Sequence, residues 1–107
     1  MKIQELSKRL TERENPMRVH LIGVAGSGMS GLALLLLGMG HRVSGCDRVT
    51  SRETERMQGL GLIFSSPHNE ESIEDADVVV FSSAIRDENV ALAGARKRNI
   101  HCIRRAE

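Results

Sequence analysis

The chain has 107 residues and a formal net charge of +1, from 15 basic and 14 acidic side chains. This length suits one domain, and no long run of a single charge sign points to nucleic acid as a partner. The longest apolar run, residues 32–37, is far shorter than the roughly 20 residues of a membrane span. The charged N-terminus also differs from a signal peptide. We therefore expect a cytoplasmic protein that does not enter a membrane.

The first predicted element is a short amphipathic helix. Ile3, Leu6 and Leu10 recur at helical spacing, and the pattern ends at Asn15-Pro16 because a residue before proline avoids the α conformation. We predict an N-terminal helical extension over residues 1–16 and a single domain over residues 17–107. A frayed appendage on the surface is the alternative for the extension.

From Met17 onward, short β-rich runs alternate with segments of helical periodicity. The predicted strands are RVHLIG, HRVSGCD, LIFSS, DVVVFSS and IHCIRR, and the predicted helices cover residues 29–39, 52–60 and 89–97, with an acidic turn at 70–75. This alternation predicts an α/β fold, a Rossmann-like open parallel sheet of four to five strands flanked by helices. The unbroken apolar run DVVVF indicates a strand that is buried on both faces.

The most informative motif is the glycine turn, residues 26–31, which reads Gly-Ser-Gly-Met-Ser-Gly and fits G-x-G-x-x-G between a strand and an apolar helix. In such turns the first glycine permits a tight reversal, the second lets the backbone approach a pyrophosphate, and the third lets helix and strand pack closely. The N–H groups and the helix dipole then hold the anion. Glycines can also mark a tight turn that binds nothing.

Asp47 favours a nucleotide site over a purely structural turn. It follows Gly28 by 19 residues, at the end of the second predicted strand. A carboxylate at this position can accept hydrogen bonds from a ribose or a base. The turn is not a P-loop, because Leu32 follows Gly31 where a P-loop has lysine.

Further candidates follow the later strands. Ser82 and Ser83 come after the apolar run, where ligands of open α/β sheets bind, although they could instead cap the next turn. His68 could reach a phosphate or lie on an exposed loop. Cys46 could be a modifiable thiol near the crevice or a small buried hydrophobe.

Several kinds of chemistry are not indicated. For Arg104 and Arg105 we expect a solvated surface rather than phosphate contact. The four histidines and two cysteines show no metal-ligand spacing, and we expect reduced thiols without a disulfide. No catalytic constellation is visible, so the chain is predicted to bind a ligand without performing chemistry of its own.

Four blocks of the sequence resemble, in order and spacing, the N-terminal domain of the Mur ligases: HLIGVAGSGMSGLA, VSGCD, DADVVVFSSAIRDEN and IHCIRRAE. The resemblance covers about residues 17–107. It implies an ADP-forming amide-bond ligase of peptidoglycan (cell wall) biosynthesis with three domains. The first domain binds a UDP-sugar, the second binds ATP and magnesium through a P-loop, and the third helps to bind the amino acid.

Within this family the blocks are most similar to the branch that joins L-alanine to UDP-N-acetylmuramate. The chain would then be the UDP-N-acetylmuramate-binding part of a longer enzyme, and inactive by itself. The abrupt end after RRAE agrees with a fragment. A sister branch, which attaches a recycled murein tripeptide to the same UDP-sugar, is an alternative.

The resemblance also implies which residues bind the substrate, and it implies no metal ligand or catalytic residue among them. The residues that match the family's diphosphate loop, its acidic residue after the second strand, its histidine after the third and its Ser-Ser-Ala turn are Gly23, Gly26, Ser27, Gly28, Met29, Ser30, Asp47, His68, Ser82, Ser83 and Ala84. The chain departs from the family at Ala25, usually glycine, and at Cys46, usually serine or another small residue. Alanine would alter the loop only if position 25 needs a positive φ.

Two other classes remain open. An NAD-binding regulatory or dehydrogenase-type Rossmann module would have the same composition, glycine turn and Asp47. An α/β protein-interaction domain could keep the turn for structural reasons alone.

Overall fold

A computed structural model describes residues 16–66, 68 and 73–105 of the chain. The predicted helical extension over residues 1–16 lies, apart from Pro16, outside the described residues. The predicted acidic turn at 70–75 is described only from Ile73 onward, where the chain turns before the fourth strand. Within the described part of the chain, no helix is long and apolar enough to span a membrane.

The core of the fold is one parallel sheet of five strands, which confirms the predicted fold class. In chain order the strands are β1 (Arg18–Ile22), β2 (Arg42–Cys46), β3 (Ile63–Ser65), β4 (Val78–Phe81) and β5 (His101–Arg104). Their spatial order is β3-β2-β1-β4-β5, which is the Rossmann order. All four residues of β4 are buried, as its apolar run predicts.

In the described part of the chain, three helices connect these strands: α1 (Ser27–Gly38), α2 (Arg52–Gly59) and α3 (Val90–Lys97). Their bounds agree with the predicted segments to within two residues. Ser51 and Thr54 form a reciprocal capping box at the start of α2, and the Asn89 side chain accepts from the N–H groups of Ala91 and Leu92 at the start of α3. These caps satisfy N–H groups that the helices themselves leave unpaired.

Each face of the sheet carries its own core cluster. The α1/α2 face packs strand residues such as Val19 and Leu21 against Met29, Ala33 and Leu36 of α1 and Met57 of α2. The α3 face packs Ile22, Val79 and Phe81 against Ile73 and Ala91, Leu92 and Ala95 of α3. Because neighbouring residues of a strand point to opposite faces, strands β1, β2, β4 and β5 each supply both clusters.

The strand order creates a crevice at the carboxyl edge of the sheet. From β1 the chain moves outward to β2 and β3, then returns to place β4 on the other side of β1. The loops after β1 and β4 therefore diverge at the same edge. In open α/β sheets this switch point is where ligands bind.

Candidate functional site

A cleft of about 820 Å³ opens at this switch point. It is lined by Gly23, Gly26, Asp47, Arg48, His68, Ser82, Ala84, Ile85, Arg86, Glu88 and Asn89. The structure thus brings together predicted site residues from the loops after four strands. It also adds charged residues that the sequence did not single out: Arg48, Arg86 and Glu88.

The loop after β1 reverses at Gly23. This residue has a φ of +86°, and a Cβ there would lie 3.1 Å from the Cβ of Ser82. Its N–H donates to the Cys46 carbonyl at 2.8 Å, and its own carbonyl accepts from the N–H of Gly26 at 3.1 Å. The tight reversal assigned to the first glycine of the motif is therefore made by Gly23, because Gly26 has a φ of −64°.

The loop leads into the N-terminus of α1. Gly26 is the N-cap, and its carbonyl accepts from the N–H of Ser30 at 2.8 Å. The N–H groups of residues 27–29 have no carbonyl within the helix to bond, and Gly26, as the N-cap, has no side chain to cap them. The first turn also contains no acidic residue. These N–H groups and the helix dipole make the start of α1 suited to an anion.

Two of the predicted site residues in this loop have buried side chains. The Met29 side chain is 2% exposed and belongs to the core, so only its backbone can face a ligand. The Ser30 N–H is already bonded within the helix, and its side chain is buried.

The third glycine of the motif does not allow close packing between helix and strand. Gly31 is exposed, and a Cβ there would meet nothing within 4 Å, so this expectation is wrong. The close approach occurs instead at Gly45 on β2, where a Cβ would lie 2.8 Å from the Cβ of Val24. Ala25 is not among the residues with positive φ, so alanine fits this loop without backbone strain.

Asp47 anchors the glycine loop and lines the cleft. Its Oδ2 accepts from the N–H of Ala25 at 3.0 Å, and its Oδ1 accepts from the N–H of Arg48 at 2.7 Å. The carboxylate therefore has a structural role that the sequence did not reveal. Each carboxylate oxygen can accept more than one hydrogen bond, so a ribose hydroxyl can still bind there.

A polar chain runs from the core of the α3 face to the cleft. Nδ1 of His20 lies 2.7 Å from Oγ of Ser44, and its Nε2 lies 3.4 Å from Sγ of Cys46. The same sulfur lies 2.9 Å from Nδ1 of His68, which lines the cleft. Cys46 is fully buried, so of its two readings the structure supports a core residue.

Burial controls the protonation of both histidines. Burial chiefly, with a smaller contribution from the nearby His68, lowers the pKa of His20 to about 4. Burial also lowers the pKa of His68, against the opposing pull of Asp47, while Arg48 adds to the lowering. Both imidazoles are thus kept neutral at pH 7, and His68 can meet a ligand as a hydrogen-bonding group without charge.

The loop after β4 is the second wall of the cleft. The Ser82 N–H donates to the Ile22 carbonyl at 3.1 Å, and its Oγ accepts from the N–H of Ala84 at 3.3 Å. Ser82 and Ala84 line the cleft, whereas Ser83 is exposed and is not part of that lining. The serine side chain caps its own turn, and Asn89 caps the helix that follows.

Arg104 and Arg105 both lie at the carboxyl edge. The Arg104 guanidinium lies 5.0 Å from the centroid of the Phe81 ring and donates to the Ser83 carbonyl at 3.1 Å. The Arg105 guanidinium lies over Gly28, 2.9 Å from where a Cβ would be. Both residues are exposed, as expected for a solvated surface. Each also contacts a loop of the site, which was not expected.

Within the described residues, no group of three or more His, Cys, Asp or Glu side chains could hold a metal ion. Both cysteines are free thiols. The cleft thus combines a helix start suited to an anion with a carboxylate and a neutral histidine along its walls.

Comparison with known proteins shows the family to which this chain belongs. A family model described as the Mur ligase family, catalytic domain, matches residues 18–107. The chain belongs to the Mur ligase family. A UDP-N-acetylmuramate–L-alanine ligase from Pelotomaculum thermopropionicum is 46% identical over 89 residues, which are 83% of this chain and 19% of that relative.

A solved structure gives the same result. The UDP-N-acetylmuramate-alanine ligase of Thermotoga maritima superposes with a TM-score of 0.80 at 30% identity, over 83% of this chain and 21% of that one. The chain spans about a fifth of the length of the curated relatives that it matches.

Proteins that bind NAD share the fold less closely. A D-isomer specific 2-hydroxyacid dehydrogenase from Lactobacillus delbrueckii, solved in its NAD complex, has a TM-score of 0.52 at 26% identity and covers 65% of this chain. The NAD-binding alternative is therefore not better supported than the Mur ligase reading.

Proposed function

We propose that this chain is the UDP-N-acetylmuramate-binding domain of an ATP-dependent ligase that joins L-alanine to UDP-N-acetylmuramate in peptidoglycan biosynthesis. The observation that carries the proposal is a helix start suited to an anion, which opens onto the switch-point cleft of a Mur ligase family chain. The names of its relatives supply the substrate. Residues 17–107 form the binding domain in this proposal.

The cleft suggests how the substrate is held. The diphosphate binds at the N–H groups of residues 27–29, where the dipole of α1 favours negative charge. The nucleoside lies towards Asp47, whose carboxylate can accept from ribose or base. Neutral His68 and the Ser82 turn form the remaining walls.

The charges of the cleft suit a UDP-sugar. Arg48 and Arg86 line it, together with the acidic residues Asp47 and Glu88. The two arginines contribute positive charge to the cleft as a whole, and a carboxylate near the hydroxyl groups of the nucleoside can accept directional hydrogen bonds.

The full reaction needs groups that we place outside this chain. In the proposed enzyme, ATP and magnesium bind to a separate domain and activate the muramoyl carboxylate, and L-alanine is the incoming amine. The glycine turn has no P-loop lysine, which agrees with this division of roles. We expect the chain by itself to bind UDP-N-acetylmuramate without turning it over.

Replacement of Gly28 tests the proposal. A valine there would project over the first turn of α1, where the diphosphate is placed, yet it would meet only the mobile end of a side chain. We expect Gly28→Val to abolish binding of UDP-N-acetylmuramate in calorimetry, with the circular dichroism spectrum unchanged.

Gly38→Val is the matched control, since Gly38 ends the same helix and a Cβ there meets nothing within 4 Å. It should bind as the unmodified chain does. Undiminished binding by Gly28→Val would contradict a diphosphate site at this turn. Tighter binding of NAD than of UDP-N-acetylmuramate would favour the dinucleotide alternative.

A further inference from the structure

The glycine turn has no cation of its own. Residues 23–31 contain no lysine or arginine, although a nucleoside diphosphate carries at least two negative charges. The helix dipole contributes only about half a charge at the start of α1. A basic residue beside the start of α1 must therefore come from another part of the chain.

Arg105 reaches this turn from the far end of the chain. Its backbone N–H donates to the Phe81 carbonyl at 2.9 Å, which extends the β5 pairing and fixes the residue at the carboxyl edge. From a Cβ built on Gly28, Nη1 would lie at 2.9 Å, Cζ at 3.1 Å and Nη2 at 3.4 Å. The guanidinium thus occupies the space that a side chain at position 28 would fill.

The Arg105 guanidinium lies beside the positive end of the α1 dipole. A guanidinium beside the N-terminus of a helix meets the positive end of the dipole, which disfavours a cation there. The first turn of α1 contains no acidic residue. An anion between the helix start and Arg105 would be attracted by both, and the planar guanidinium matches two phosphate oxygens.

The neighbouring arginine has a different environment. Arg104 packs over the Phe81 ring and donates to the Ser83 carbonyl, so its guanidinium is directed to the loop after β4. Successive residues at the end of a strand point to opposite faces, and Arg105 accordingly lies on the α1 side. The pair Arg104-Arg105 thus contacts both loops of the switch point.

We infer that Arg105 is a diphosphate-binding residue, which reaches over Gly28 to supply the positive charge that the glycine turn lacks. Gly28 then has a second role besides backbone approach, because its missing side chain leaves room for this guanidinium. The inference rests on the proposed function, since it assumes that a nucleoside diphosphate binds at the turn.

Binding of UDP and of uridine separates the phosphate from the nucleoside. We expect Arg105→Ala to weaken UDP binding by about tenfold at low salt, in keeping with the loss of a charge-assisted contact at an exposed site. The shifts that uridine causes in amide spectra should stay unchanged, and Arg105→Lys should retain part of the UDP affinity. Arg42→Ala, which removes an exposed arginine at the opposite edge of the sheet, should bind UDP normally.

A double-mutant cycle tests the steric link to Gly28. Gly28→Ala should weaken UDP binding in the unmodified chain by displacing the guanidinium, and should have little effect when Arg105 is already alanine. UDP binding within twofold of normal in Arg105→Ala, or an equal loss of UDP and uridine binding, would overturn the inference. If the unmodified chain bound no UDP at all, the proposed function itself would fail.

Discussion

The two faces of the sheet are buried by different chemistry. Beneath α1 and α2 the strands contribute an apolar cluster that is aliphatic except for Phe64, with Gly45 leaving room for Val24. Beneath α3 the same strands bury His20 and Cys46, whose polar atoms connect through His68 to the cleft. On the first face, stability depends on close packing. On the second face, it also depends on the protonation of histidines next to the site.

This difference shows how one strand can serve both purposes. Because side chains alternate along β2, Gly45 supports the glycine loop from one face while Ser44 and Cys46 hold the histidine chain on the other. Disturbing the first face should therefore be costly at every pH. Disturbing the second should change how stability depends on pH.

The largest effect is expected on the aliphatic face, from Gly45→Val. Its Cβ would lie within 3.0 Å of three Val24 side-chain atoms in a fully buried site, so strand or loop must move. We expect the free energy of unfolding to fall by about 3 kcal/mol, the upper range for overpacked cores, in urea titrations at pH 7.

Gly59→Val is the control for this substitution, since a Cβ at Gly59 meets nothing within 4 Å. It should leave stability nearly unchanged. A loss in Gly45→Val no greater than in the control would mean that the loop does not depend on the close approach of Val24.

The histidine face should lose stability in acid. The pKa of His20 is about 4 in the folded chain against 6.5 for an unperturbed imidazole, so above pH 6.5 the side chain is neutral in both states and its burial carries no protonation penalty. As the pH falls from 6.5 to 4, the unfolded chain binds the proton first, and about 3 kcal/mol of stability is lost. The lowered pKa of His68 acts in the same direction.

Urea titrations between pH 7 and pH 4 measure this loss. His20→Gln removes the titrating imidazole and should flatten the dependence, whereas Gly45→Val should keep the slope of the unmodified chain. An equally steep acid loss in His20→Gln would show that other groups dominate and that the polar chain does not distinguish this face.

The smallest effect is a gain, from Gly31→Ala. The general rule for the motif predicts that alanine at its third glycine harms the packing between helix and sheet. The structure places Gly31 on the exposed side of α1, with nothing within 4 Å of a Cβ. We expect a stabilisation of about 1 kcal/mol in thermal unfolding, the difference between glycine and alanine within a helix. A loss of stability in Gly31→Ala would show that this glycine is needed for packing between helix and sheet.

Local patterns were sufficient to predict the fold. The alternation of β-rich and helical segments located all five strands and three helices in the described residues, and the apolar run of β4 correctly predicted burial on both faces. The strand-turn-helix context of the glycine motif correctly placed it at the carboxyl edge, next to Asp47.

Long-range contacts could not be predicted in this way. Arg105 lies 77 positions after Gly28, and no local pattern shows that its guanidinium covers that residue. The pairing of Gly45 with Val24 depends on the path of the loop after β1, and the contact between His20 and Cys46 depends on strand register. The rules for the motif predict the role of each glycine from its position in the sequence. In the folded chain, that role depends on the residues packed around the glycine.

The most direct test of the central claim is a titration of the isotopically labelled chain with UDP-N-acetylmuramate, UDP and NAD in turn, followed through backbone amide shifts. We predict shifts at residues 26–31 and around Asp47 with both UDP ligands and none with NAD. Shifts with NAD alone would contradict the account and make the cleft a dinucleotide site.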